Sequence, residues 1–247
     1  MPASPEVETL PDGKIIVVSP LSLARFNATG ARLLGTRFVM AVPRPQLRQL
    51  TVYMLVGNPE VLPGFAEESL EKRQPSGTLG HFVADAMLFS ARKAFNMPLD
   101  AAFVNYGGQR ITQMPKGPVT RSTIFELMPF ENVVVVQSMK GDVLQEFLDH
   151  IAKAGGWPVA GITFQIRDKK AVNVLVNGVP LDNNKTYHIV NSDYVASGGD
   201  YAAMLKDIPQ QNRGYLMRDA IFDYIKTLKA EGKNISAQKE NRITHAQ

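Results

Sequence analysis

Four consecutive valines, Val133 to Val136, constrain the fold more than any other stretch of this chain. Successive strand side chains point to opposite faces of a sheet, so an unbroken β-branched run needs cover on both faces. The flanking segments supply it. Leu79, Phe82, Val83, Ala86, Met87 and Ala94 recur at helical spacing up to Asn96, with Thr78 where an N-cap belongs and Pro98 ending the run. Asp142 opens a second amphipathic helix that turns Val143, Phe147, Leu148 and Ile151 inward and stops at Gly155-Gly156. Tyr215 to Leu228 reads as another helix, and Ser122 caps a short one through Met128. Ala101 to Val104 and Tyr187 to Val190 read as strands. Residues 162–166 and 171–176 alternate around Asp168-Lys169-Lys170 as a hairpin. Helices, strands and a hairpin in this order predict an α+β fold, a mixed β-sheet with flanking helices.

That domain is expected over residues 59–232. Residues 1–58 read as an N-terminal extension, irregular for the most part, in which Ile15 to Val18 and Thr51 to Val56 can each form a strand. Residues 233–247 read as a polar tail. The net charge of +4 is concentrated: residues 13–59 carry six basic groups and no Asp or Glu, which leaves −2 for the rest. A near-neutral domain lacks the basic surface that nucleic-acid binding requires, so no nucleic-acid partner is expected. The chain has no cysteine, which excludes disulfides and thiolate chemistry. No apolar run is long enough for a transmembrane segment, and the proline-rich start Met1 to Glu6 does not read as a secretory signal.

Three short segments carry the chemistry. Asn105-Tyr106-Gly107-Gly108-Gln109-Arg110 follows a strand. Gly107 and Gly108 let a ligand approach the backbone, Arg110 can fork onto a phosphate, and Asn105 offers a donor and an acceptor to a base edge. The same residues can equally make an ordinary turn with an exposed arginine. Phe130 follows Pro129 and precedes Glu131-Asn132, and Tyr194 precedes Ser197-Gly198-Gly199-Asp200, so both rings belong to element ends. Two rings across a slot can sandwich a nucleobase, although a lone aromatic is more often a core residue. Asp200 can accept from ribose hydroxyls or cap the segment Tyr201 to Lys206. His81, His150, His188 and His245 lack metal-ligand spacing, His150 reads as a surface residue, and no Gly-x-Ser-x-Gly elbow occurs. No catalytic and no metal-ligating residue is proposed.

These segments resemble the C-terminal domain of the 5'-nucleotidase family, also called the UDP-sugar hydrolase family. The family's Asn-Gly-Gly-Gly-Ile-Arg stands here as Asn-Tyr-Gly-Gly-Gln-Arg, and its Leu-Pro-Phe-Gly-Asn as Met-Pro-Phe-Glu-Asn. Its Asn-Asp/Asn-Phe-x-Ala-x-Gly-Gly-Asp-Gly-Phe stands as Ser-Asp-Tyr-Val-Ala-Ser-Gly-Gly-Asp-Tyr. Gly80 to Met87, Val176 to Asp182 and Lys185-Thr186-Tyr187 are similar as well, so the likeness runs from about residue 67 to about residue 228. It implies that Phe130 and Tyr194 stack on the base, that Arg110 and Arg73 hold phosphate beside Gly107 and Gly108, that Asn105 reaches the base, and that Asp200 takes the ribose. Tyr106 and Gln109 replace a Gly and an apolar residue, which implies a shifted ligand preference; Glu131 puts negative charge beside the slot, which implies weaker binding of a polyanion; Tyr194 for Phe keeps the stacking face.

The likeness does not extend to the family's metallophosphatase domain, whose Asp, His and Asn motifs are not found in this sequence. The expected role is therefore nucleotide recognition in partnership with a separate metallophosphatase, converting nucleotides to nucleosides and phosphate. No cofactor is expected in this chain; divalent metals belong to the partner. The alternatives are a non-catalytic nucleotide-sensing module and a structural domain that has lost its pocket. The resemblance implies a periplasmic or cell-surface location.

Overall fold

The computed structural model describes residues 61–236 and 240–246, with side chains from residue 64 onward, and the backbone of four strands before them. The chain divides after Glu60 into two compact units. In the first, β1 (Glu6–Thr9), β2 (Lys14–Ser19), β3 (Arg32–Leu34) and β4 (Arg37–Pro43) form an antiparallel sheet in the order β1-β2-β4-β3. The expectation of an irregular extension is corrected here. Ile15 to Val18 lies in β2, and the strand expected at Thr51 to Val56 lies outside the described residues.

The second unit opens with two small antiparallel pairs. In these, β5 (Val61–Ala66) joins β9 (Gly117–Thr120), and β6 (Leu70–Glu71) joins β8 (Gln113–Met114). Its main sheet is built on β7 (Ala101–Phe103), β10 (Val133–Lys140), β11 (Val159–Ala160), β15 (Thr186–Ser192) and β16 (Gln210–Leu216), ordered β11-β7-β15-β10-β16. The sheet is mixed: β7 and β15 run parallel and every other neighbour pair runs antiparallel. The valine run does what its composition requires. Val134 and Val136 enter a core shared with α1 (Thr78–Phe95), α2 (Arg121–Leu127) and α5 (Met217–Ala230). Phe103, Met139 and Ile189 enter a second core with α3 (Gly141–Lys153) and with β12 (Ile162–Arg167) and β13 (Lys170–Val176). The short β14 (Val179–Pro180) lies along β13 on the side away from β12. The two-residue turn at Asp168 and Lys169, with φ of 49° and 62°, matches the right-handed twist of the hairpin strands.

Several boundaries move. Gly77, not Thr78, is the N-cap of α1, and the Thr78 hydroxyl accepts from the Glu71 amide at 2.8 Å. Thr120, not Ser122, caps α2 by accepting from the Thr123 amide at 3.2 Å. Tyr215 lies in β16 instead of opening α5.

The reading of residues 233–247 as a polar tail is also corrected. Ile235 and Ile243 are buried, and β17 (Ile243–His245) pairs in parallel with β12. Arg242 is 7 % exposed and forks onto Asp85 at 2.7 and 2.9 Å, with a further bond to the Val159 carbonyl at 2.8 Å. Burial works against its charge, but the bonds and charge of Asp85, reinforced by Glu240, raise its pKa on balance.

Candidate functional site

Three neighbouring strands deliver the three motifs to one end of the sheet. β7 and β15 run parallel, with Ile189 opposite Ala101, so the loops after both leave from the same end. β10 runs antiparallel to β15, with Val134 opposite Ser192, so the segment entering β10 meets them there. Asn105, Gly107, Gly108, Arg110, Phe130, Glu131, Asn132, Tyr194 and Asp200 line one cleft of about 430 Å³.

Phe130 and Tyr194 are each 47 % exposed, so neither ring is the core residue that a lone aromatic usually is. Buried Arg218 on α5 fixes the backbone behind Phe130, donating from Nη1 to the carbonyls of Met128, Pro129 and Phe130 at 3.3, 3.0 and 2.9 Å. Tyr194 lies in the short helix α4 (Asp193–Ala196), which Ser192 caps by accepting from the Val195 amide at 3.2 Å. Gly199 packs against this ring: a Cβ there would come within 2.6 Å of it, so any other residue would push Tyr194 out of place.

The polar groups converge on the same cleft. Asn105 Nδ2 donates to Asp200 Oδ2 at 2.6 Å, and the Tyr194 hydroxyl donates to Asp200 Oδ1 at 3.0 Å. A Cβ on Gly108 would fall 2.7 Å from Asn105 Oδ1, so the bare glycine leaves that amide its place. Asp200 does not cap the segment after it. It takes a left-handed φ of 49°, followed by Tyr201 at 64°, at a cost of roughly 1–2 kcal/mol per non-glycine residue. His150 helps to hold this turn. It is half-buried, not a surface residue, sits edge-on to Trp157 and donates from Nε2 to the Asp200 carbonyl at 2.9 Å.

The Arg110 guanidinium carbon lies 5.6 Å from the centre of the Phe130 ring, and its side chain is exposed. Arg110 is the one cation among the lining residues, against the carboxylates of Glu131 and Asp200. Arg73 is exposed and does not line the cleft. Its neighbour Lys72 approaches the same loop, donating to the Gln109 carbonyl at 2.8 Å and lying 4.2 Å over the Tyr106 ring. Partial burial first, and the Arg110 charge second, hold the Lys72 ammonium below the usual lysine range.

Of Tyr106, Gln109 and Glu131, only Glu131 lines the cleft. Gln109 is 1 % exposed, and neither amide atom is hydrogen-bonded to another described residue. A buried unpaired polar group costs about 1–3 kcal/mol. Gln109→Leu is therefore expected to raise the melting temperature by about 2–4 °C per kcal/mol recovered, with nucleotide affinity unchanged; a lower melting temperature would contradict the orientation of this side chain. Sequence reasoning missed Arg218 and Lys72, which support the loops, and quoted Asp193 as a motif position without giving it a role. Asn132, quoted only as the end of a motif, also lines the cleft.

The sequence pattern of the 5'-nucleotidase C-terminal domain matches residues 56–207. The chain is 30% identical over 188 residues to the trifunctional nucleotide phosphoesterase YfkN of Bacillus subtilis, covering 69% of this chain and 12% of that protein. It is 30% identical over 156 residues to a 5'-nucleotidase of Vibrio cholerae, covering 60% of this chain and 26% of the other. The chain thus spans about a quarter or less of the length of such relatives. Among solved structures, the 5'-nucleotidase precursor from Thermus thermophilus superposes with a TM-score of 0.68 at 25% identity, over 98% of this chain and 54% of that one. The NAD nucleotidase of Haemophilus influenzae shares the fold, with a TM-score of 0.63 at 16% identity, over 98% of this chain and 57% of that one. The sequence match takes in all three loops of the cleft, and the chain belongs to the 5'-nucleotidase C-terminal domain family.

Proposed function

We propose that the cleft binds a nucleotide, with the base between Phe130 and Tyr194, the ribose hydroxyls on Asp200, the base edge at Asn105 and the phosphate on Arg110 beside Gly107 and Gly108. The observation that carries this reading is the convergence of two half-exposed rings, a carboxylate, an amide and one guanidinium on a single open cleft. An open cleft also weighs against a domain that has lost its pocket. Arg73 enters the proposal only as an exposed cation available to a longer phosphate chain.

Binding alone does not hydrolyse a phosphoester. A metallophosphatase domain supplies the divalent metals that activate water in this family, and we propose that this chain works together with such a domain. This chain then selects and orients the substrate. The resemblance adds nucleotide catabolism as the process and the periplasm or cell surface as its place.

Titration calorimetry with AMP and adenosine tests the binding assignment. Arg110→Ala should weaken AMP about 10–100-fold, the worth of hydrogen bonds to a charged group, and leave adenosine within about twofold. Equal AMP affinity in the variant would remove Arg110 from the phosphate site. Phosphate release from AMP with Mn²⁺ tests the division of labour: release is expected only when a metallophosphatase is added, and turnover by this chain alone would overturn it.

A further inference from the structure

We propose that Asp193 is a positioning residue that sets the gap between Phe130 and Tyr194, an inference that rests on the nucleotide reading of the cleft. One carboxylate oxygen, Asp193 Oδ1, accepts three hydrogen bonds. Two come from the segment that carries Phe130: Asn132 Nδ2 at 3.0 Å and the Val133 amide at 3.2 Å. The third comes from the Tyr194 amide at 2.9 Å. The ladder between β10 and β15 ends at the pair Val134 and Ser192, and Asp193 is the next residue. Beyond that pair the two ring-bearing segments are free to splay, and Asp193 joins them.

Each ring therefore hangs from the same atom over a short, well-held stretch of backbone. On one side Arg218 fixes the carbonyls of Met128 to Phe130. On the other, the ring of Tyr194 rests on Gly199, and its hydroxyl is tied to Asp200. Neither support reaches across to the other ring. A base stacks on two faces only if their separation suits the thickness of an aromatic ring, and a loosened gap forfeits contact steeply with distance. The tie acts on the base more than on the phosphate, because Arg110, although it lies over the Phe130 ring, is carried by the separate loop after β7. That separates it from a general structural role.

The test compares AMP with ribose 5-phosphate, which lacks the base, by NMR titration of the full chain, its Asp193→Ala variant and its Asp193→Asn variant. Asp193→Ala should weaken AMP by about tenfold and leave ribose 5-phosphate within about twofold, since hydrogen bonds to a charged acceptor and not ligand contacts are lost. Asp193→Asn keeps an acceptor oxygen and should recover most of the AMP affinity. Equal loss of both ligands would overturn the proposal, as would unchanged AMP binding in a folded Asp193→Ala protein. If Asp193→Ala does not fold, a crystal structure of Asp193→Ser, whose shorter side chain cannot hold all three bonds, gives the readout: a shifted ring separation supports the tie, and rings unmoved with the bonds to Asn132 and Val133 broken refute it. Failure of the parent protein to bind AMP would instead refute the nucleotide reading.

Discussion

Replacing Arg242 by alanine is expected to destabilise the second unit by about 3 kcal/mol, the lower end of the cost of removing one partner from a buried pair. The lower end applies because the Asp85 side chain is 25% exposed while that of Arg242 is 8% exposed. Water can therefore reach the stranded carboxylate in part. The Val159 carbonyl also loses its donor, and the strand that Arg242 leads into, with buried Ile243, loses its anchor. At this domain size the melting temperature should fall by about 6–12 °C. Arg242→Lys should recover little, because an ammonium cannot reproduce the two-point fork. A fall of less than about 2 °C would mean that the C-terminal segment contributes little to stability.

The broadest effect on ligand affinity, on nucleotide and nucleoside alike, is expected from Phe130→Ala. Stacking of a base on an aromatic ring contributes roughly 1–3 kcal/mol by alanine substitution, so AMP and adenosine should both weaken by about 5- to 150-fold. Arg110→Ala, in contrast, should separate the two ligands. The substitution at Phe130 removes a ring that is 47 % exposed, so thermal stability should hardly change. Melting curves and titrations on the same sample check both halves. Unchanged affinity in a protein that still melts at the parental temperature would take Phe130 out of the site.

The α+β architecture is legible in the sequence wherever burial follows local pattern. Val133 to Val136 require a covered sheet, and the Leu79-to-Ala94 periodicity marks α1, because both depend on neighbours close in sequence. β16 escapes that logic: its residues Gln210 to Leu216 are mostly exposed on an edge strand, and they show no apolar alternation. Arg242 escapes it for the opposite reason. It is charged, sits in a polar stretch, and is buried only because Asp85, 157 residues earlier, is brought beside it. The caps move for two reasons: the Thr78 hydroxyl is taken by the Glu71 amide, which leaves Gly77 to open α1, and Thr120, the last residue of β9, precedes Ser122 at the start of α2.

The ligand set shows the same division. The residues that line the cleft stand in short motifs with glycine, proline and aromatic neighbours, and those motifs are visible in the sequence. The supports beneath them are not. Arg218 reads as one charge on an amphipathic helix, yet it is buried under three carbonyls. Asp193 reads as a motif position with no role of its own, yet it joins both ring-bearing segments. Gln109 stands inside a ligand motif, but its side chain turns into the core.

The most direct test of the central claim is a crystal structure of this chain with AMP. The expected result is the base lying between the Phe130 and Tyr194 rings, a ribose hydroxyl on Asp200 and the phosphate within hydrogen-bond reach of Arg110. AMP bound elsewhere with this cleft empty, or with its base touching neither ring, would contradict it.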